Sequence, residues 1–294
     1  MKAFVLALLV ALSIGGPALA SPQPPGAPTI KLLDAGKGAK KALRFTAKKG
    51  MKRSMTMTME MALAMTLGAQ AVPAQKLPAM RMTMDLVVTS VAANGDIRYE
   101  FVTRKPEVVA DGATPPFVVE AMSKALAELE GMSGHAVVTN RGFSVEADVK
   151  VPEKASAQTQ QMVDSIRQSL AQIAAPVPEE PVGVGATWET TTKLQQNGLV
   201  IEQTATNQLV ALKGKTFTLK IEVAQTAQPQ KFTANGMTAD LESYSASGGG
   251  ETTIGLANLV PTKATMGLHS AMRMTAVGQT IGMTLDIKMK MQGK

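Results

Sequence analysis

Residues 51–67 read Met-Lys-Arg-Ser-Met-Thr-Met-Thr-Met-Glu-Met-Ala-Leu-Ala-Met-Thr-Leu, and their alternation decides the fold class. Met51, Met55, Met57, Met59, Met61, Leu63, Met65 and Leu67 take odd positions, while Lys52, Ser54, Thr56, Thr58, Glu60 and Thr66 take even ones. Successive side chains of a strand point to opposite faces, so a period of two gives one apolar and one polar face. A helix would scatter the same residues around its circumference. Methionine favours helix by intrinsic propensity, but the period outweighs that preference here. A strand this long, against a usual length of about five or six residues, belongs to a strongly curved sheet or barrel.

The pattern recurs along the chain. Met80, Met82, Met84, Leu86 and Val88 alternate with Arg81, Thr83, Asp85 and Thr89, and Asn94-Gly95 supplies the positive φ angles of a tight hairpin. Pro115-Pro116 opens a helix that runs to Glu130, with Val119, Met122, Leu126 and Leu129 on one face and Gly131 as its stop. A hairpin follows around Asn140-Arg141-Gly142, then a second amphipathic helix over residues 156–174 with Met162, Val163, Ile166, Leu170 and Ile173 as its stripe. Strands resume at Trp188, and Gly248-Gly249-Gly250 reads as a flexible turn between two of them. Alternating methionines return at Met266, Met272 and Met274 and again at Met283, Met289 and Met291. The predicted fold is α+β and mostly β, with long curved antiparallel sheet(s) wrapped around two amphipathic helices in a half-barrel-like arrangement.

Composition bounds the class. Residues 1–20 have the form of a secretory signal: Lys2, an apolar run over 4–14, helix breakers at Gly15, Gly16 and Pro17, and Ala18-Leu19-Ala20 as a cleavage site. This implies export to a periplasm or the extracellular space. The chain has no cysteine, so disulfides and a lipoprotein anchor are excluded. Residues 21–42 are expected to be a disordered Pro-rich and basic lead. Residues 43–294 are expected to form the β-rich domain, with a possible division into two sub-domains near 175–185. The formal charge is +7, with much of the excess in 37–53, a stretch suited to an anionic membrane surface. Aromatic residues make up 3% of the chain, too few for the base-stacking platforms of a nucleic-acid binder.

No catalytic constellation is legible. A Gly-x-Ser-x-Gly elbow, a His-Glu-x-x-His motif and an acidic calcium loop are all missing, and His135 and His269 are the two histidines. The sequence therefore predicts a non-catalytic protein without a cofactor. Methionine, with three rotatable bonds and a polarizable sulfur, suits a surface that adapts to differently shaped apolar partners. A cavity lined by Met57, Met59, Met61, Met82, Met84, Leu126 and Leu129 is predicted to hold a lipid or another apolar small molecule. One alternative is a structural or partner-binding protein with a filled core. A second is Cu(I) binding by Met-x-Met pairs, whose members lie about 6.6 Å apart along a strand. Neither histidine falls inside a methionine cluster.

The segment Val182-Gly183-Val184-Gly185-Ala186-Thr187-Trp188, followed by polar strands around Asn197-Gly198, resembles an uncharacterised family of exported bacterial β-rich proteins in which Val-Gly-x-x-Trp leads into a long hairpin. The resemblance covers residues 182–226 and implies a β-rich fold with no agreed activity. The layout is also similar to the half-barrel periplasmic lipoprotein carriers, which implies an apolar cavity sheltered behind helices and transfers no residues.

Overall fold

The computed structural model describes residues 28–294 except 111, 113, 151, 153–154, 157–158, 161–162, 164–175, 197 and 235–236. The proposed signal peptide and most of the second predicted helix lie outside the described residues.

Alternating sequence becomes long strand. The opening methionine segment forms β3 (Lys52–Leu67), and the next forms β4 (Gln70–Val91). Then come β5 (Ile97–Thr103), β6 (Glu107–Val109), β7 (Ser133–Val138) and β8 (Ser144–Lys150). The second half of the chain supplies β9 (Val182–Val184), β10 (Thr187–Gln196), β11 (Leu199–Lys213) and β12 (Thr216–Ala227). It ends with β13 (Gln230–Ala234), β14 (Met237–Gly255), β15 (Pro261–Ala276) and β16 (Gln279–Gly293). Two strands precede them all: β1 (Thr29–Asp34) and β2 (Lys37–Lys41).

Fourteen strands join in one sheet. Its path runs β1-β10-β11-β12-β14-β15-β16-β3-β4-β5-β7-β8, with β13 beside β14 and β6 beside β4. Every neighbouring pair is antiparallel. The last strand, β16, pairs with β3 and so brings the two methionine-rich ends of the chain side by side. Strands β2 and β9 form a separate two-stranded sheet.

Three expectations are corrected. Among the described residues there is one helical element, α1 (Pro116–Ala127), not two helices wrapped by a sheet. α1 buries none of its residues and lies beside β6. Its short stripe of Val119, Met122 and Leu126 is only half-buried. What fills the apolar face at its ends is irregular chain, neighbouring strand and, at Val163, a fully buried helical residue. Leu43, Val177 and Val182 pack on Trp188, Leu209, Phe217 and Leu219, while Leu129 and Met132 pack with Leu86, Phe101 and Val149. Residues 29–34 and 37–41, read as part of a disordered lead, are strands, because Ile30 and Leu32 gain partners on β10 and pack against the Trp188 core.

Gly248-Gly249-Gly250 is the middle of β14, not a turn. A Cβ at Gly248 would overlap the Gly267 carbonyl oxygen and one at Gly250 the Thr265 carbonyl oxygen, while one at Gly249 would meet the Ile221 carbonyl oxygen. Neighbouring backbones thus close in from both sides within the sheet, β15 on one and β12 on the other. Glycine is required for close approach rather than for chain reversal.

Candidate functional site

The pairing register assembles the methionines. Met289 of β16 stands opposite Met59 of β3, which stands opposite Met80 of β4, and Met266 of β15 extends this row on the far side. The adjacent row runs Met291, Met57, Met82. Met55 lies opposite Met84 at one end of the block, and Met61 stands between Ile287 and Leu77 at the other. Directly opposed residues have Cβ atoms about 4.5–5.5 Å apart, so ten methionines from four strands share one patch.

All ten are half-buried. The buried cores stop short of the centre of the block. Met55 and Met84 touch the core of Leu86 and Phe101, and Met272 and Met274 touch the core of Ile201 and Leu241. Met57, Met59, Met61, Met80, Met82, Met266, Met289 and Met291 belong to none of the buried clusters. Among the described secondary-structure elements, the close backbone neighbours of β15, β16 and β3 are the strands beside them in the sheet. The patch is an apolar surface between filled cores.

The predicted lining residues divide accordingly. Met57, Met59, Met61 and Met82 lie together in the block. Met84 sits at its border. Leu129 is buried in the core at that end and Leu126 packs against that core, so both stand apart from the open centre. Met55, Met80, Met266, Met289 and Met291 complete the patch and are not among the predicted lining residues. Their period-two spacing was visible, but the register that brings β16 to β3 was not.

The reverse face is polar and its charges are largely paired. A cleft of about 830 Å³ is lined by Lys52, Asp85, Arg98, Glu100, Arg104, His135 and Lys150, among others. Arg104 Nε donates to Asp85 at 2.6 Å, and this hydrogen bond holds the Asp85 carboxyl below its ordinary range. His135 Nε2 lies 2.7 Å from Glu146, and Arg98 donates to the same carboxylate at 2.8 Å. These contacts, the His135 hydrogen bond first, lower the Glu146 pKa. Such carboxylates stay ionised and are poor general acids. Among the described residues, no group of three or more His, Cys, Asp or Glu side chains is placed to hold a metal ion.

Three side chains of the basic stretch 37–53 are engaged by other segments. Lys41 donates to the Gly214 carbonyl, Arg44 to the carbonyls of Pro178 and Glu179, and Arg53 to the Asn258 side chain. Lys52 faces the cleft on the polar side. No helix among the described residues is long and apolar enough to cross a membrane.

A protein family of unknown function, DUF6263, matches residues 146–258. No curated protein matches the chain. The matched segment includes the Val-Gly-x-x-Trp motif, whose role here is structural. Gly185 adopts φ +87° and its N–H donates to the Leu209 carbonyl, Leu209 N–H donates to the Ala186 carbonyl, and Trp188 is then fully buried. The methionine block, on β3, β4, β15 and β16, lies wholly outside the matched segment.

Proposed function

We propose that this chain is an exported, non-catalytic protein that holds acyl chains or other apolar ligands against its methionine-rich face. The observation that carries the reading is the half-buried block spanning four strands between cores that are already filled. Contiguous apolar patches left uncovered mark ligand or partner sites. Covering it removes apolar area from water at about 25 cal/mol per Å², and thioether side chains repack around ligands of different shape. Polar residues on the opposite side of the same strands keep the rest of the sheet in water. The exposed lysines of residues 37–53 would favour delivery at an anionic lipid surface.

The test is uptake of a fluorescent fatty acid by the purified protein, with native mass spectrometry for lipid that co-purifies. Saturable uptake that is reduced by Met59→Glu and Met289→Glu is the expected result. A protein that emerges free of lipid and takes up no fatty acid overturns the reading.

A further inference from the structure

The block of methionines carries chemistry that apolarity alone does not require. We propose that its two central rows form a site for a soft monovalent metal ion, Cu(I) or Ag(I), with the thioether sulfurs of Met59, Met80 and Met289 as the principal ligands. The inference is independent of the apolar-ligand reading, because it depends on sulfur and not on hydrophobic area.

Three observations support it. First, the ligands come from three different strands held in register by backbone pairing, with Met59 flanked directly by Met289 and Met80. Opposed Cβ atoms are about 5 Å apart. With metal–sulfur bonds near the zinc–sulfur length of about 2.3 Å, two sulfurs on one ion lie roughly 4 Å apart. The flexible thioether arms can close that difference without moving the backbone. Second, Met291, Met57 and Met82 form the next row, so an ion displaced from one set of sulfurs meets another. Third, the side chains are half-buried. A monovalent ion held by neutral ligands keeps its charge, and a sealed core would make that charge costly. Here one side of the ion remains open to water or an anion.

The donor set selects the metal. Soft thioethers favour Cu(I)-like ions, whereas carboxylate and carbonyl oxygens favour magnesium, calcium and manganese. Thioethers also have no proton to lose at ordinary pH. Sites built from Cys or His release protons on binding and weaken in acid. This site is therefore expected to bind equally well at pH 5 and pH 8.

The experiment is titration of the purified protein with Ag(I), in competition with a chromophoric chelator. The parent is compared with a variant carrying Met59→Leu, Met80→Leu and Met289→Leu. Leucine keeps the volume and the apolar character, so the fold is retained, which far-UV circular dichroism checks. The control carries Met122→Leu and Met274→Leu, two methionines with no methionine opposite them on a paired strand. The expected result is pH-independent binding that the triple variant weakens at least about tenfold, a loss that even outer-shell partners of metal ligands produce when mutated. The control binds as the parent does. Unchanged affinity in the triple variant, equal loss in the control, or loss of binding at pH 5 overturns the proposal. Met59→Leu alone is read in the same way should the triple variant fail the dichroism check. Fatty-acid uptake is measured on the parent protein: Ag(I) binding without uptake, or uptake without Ag(I) binding, separates failure of one reading from failure of the other.

Discussion

Replacing Met59 with alanine and Leu209 with alanine tests whether the methionine face is open or is simply core. Both changes remove three heavy atoms beyond Cβ. At about 0.8 kcal/mol per fully buried methylene-sized group, the transfer term is about 2.4 kcal/mol for a sealed side chain. Met59 is half-buried and belongs to none of the buried clusters, so its loss is about 1.2 kcal/mol with no sealed cavity to add. Leu209 is completely buried among Trp188, Phe217 and Leu219. Its removal leaves a cavity, and leucine-to-alanine changes of that kind cost about 2–5 kcal/mol, centred near 3.5. With a urea m value of about 3 kcal/mol per molar, the midpoint falls by about 0.4 M for Met59→Ala and by about 1.2 M for Leu209→Ala. The assay is equilibrium unfolding followed by the single tryptophan, Trp188, with m unchanged in both variants. Equal midpoint shifts would mean that the methionines are sealed. The ligand reading and the metal reading would then both lose the open face they require.

Two further outcomes follow from local geometry. Gly250→Val is expected to destabilise by at least about 3 kcal/mol, the upper end of overpacking, because the Thr265 carbonyl already occupies the Cβ position. Gly267→Ala should be nearly neutral, since the Ile287 carbonyl oxygen would lie 3.9 Å from the new Cβ, an ordinary contact, and thermal melts of the two variants within about 2 °C of each other would refute the account. Glu128, at the end of α1, accepts hydrogen bonds from the Ser156 hydroxyl and N–H and from the Thr159 hydroxyl, which hold its pKa down to about 2. A carboxyl depressed on folding stabilises above its unfolded pKa, near 4.5, and that contribution is lost as pH falls toward 2. The parent should therefore melt higher than Glu128→Gln at pH 7, and the gap should close by about pH 2; parallel pH profiles would refute the clamp.

Strand identity was legible wherever side chains alternated for many residues, because burial on one face of a pleated strand writes itself into every second position. The same signal misled where its cause was different. Gly248-Gly249-Gly250 resembles a turn because turns also need glycine, and the requirement for close backbone approach has no separate sequence mark. Ile30 and Leu32 sit in a short basic segment with little periodicity, and the β10 edge that orders them is contributed from more than 150 residues away. The helical stripe of Val119, Met122 and Leu126 correctly gave α1, but a stripe says that a face is apolar, not what will cover it. The candidate site was half legible for a related reason: each strand displays its own methionines, whereas the rows that join them exist only after β16 has found β3.

That pairing cannot be set by the methionines themselves. Sliding β16 by two residues along β3 would place Met291 opposite Met59 and Met289 opposite Met61, so methionine would still face methionine and the apolar face would lose little. The reverse face discriminates against one of the two slips. In the observed one, Lys288 stands opposite Glu60, and a slip in one direction would bring Asp286 there instead, setting two carboxylates against each other. A slip in the other direction would set Lys290 opposite Glu60 and Thr284 opposite Thr66, both favourable pairs, so the polar face does not exclude it. On the next strand pair, Asp286 lies 2.8 Å from His269 and ties β16 to β15. The polar face thus disfavours one slip by charge, a discrimination that the methionine face itself does not supply.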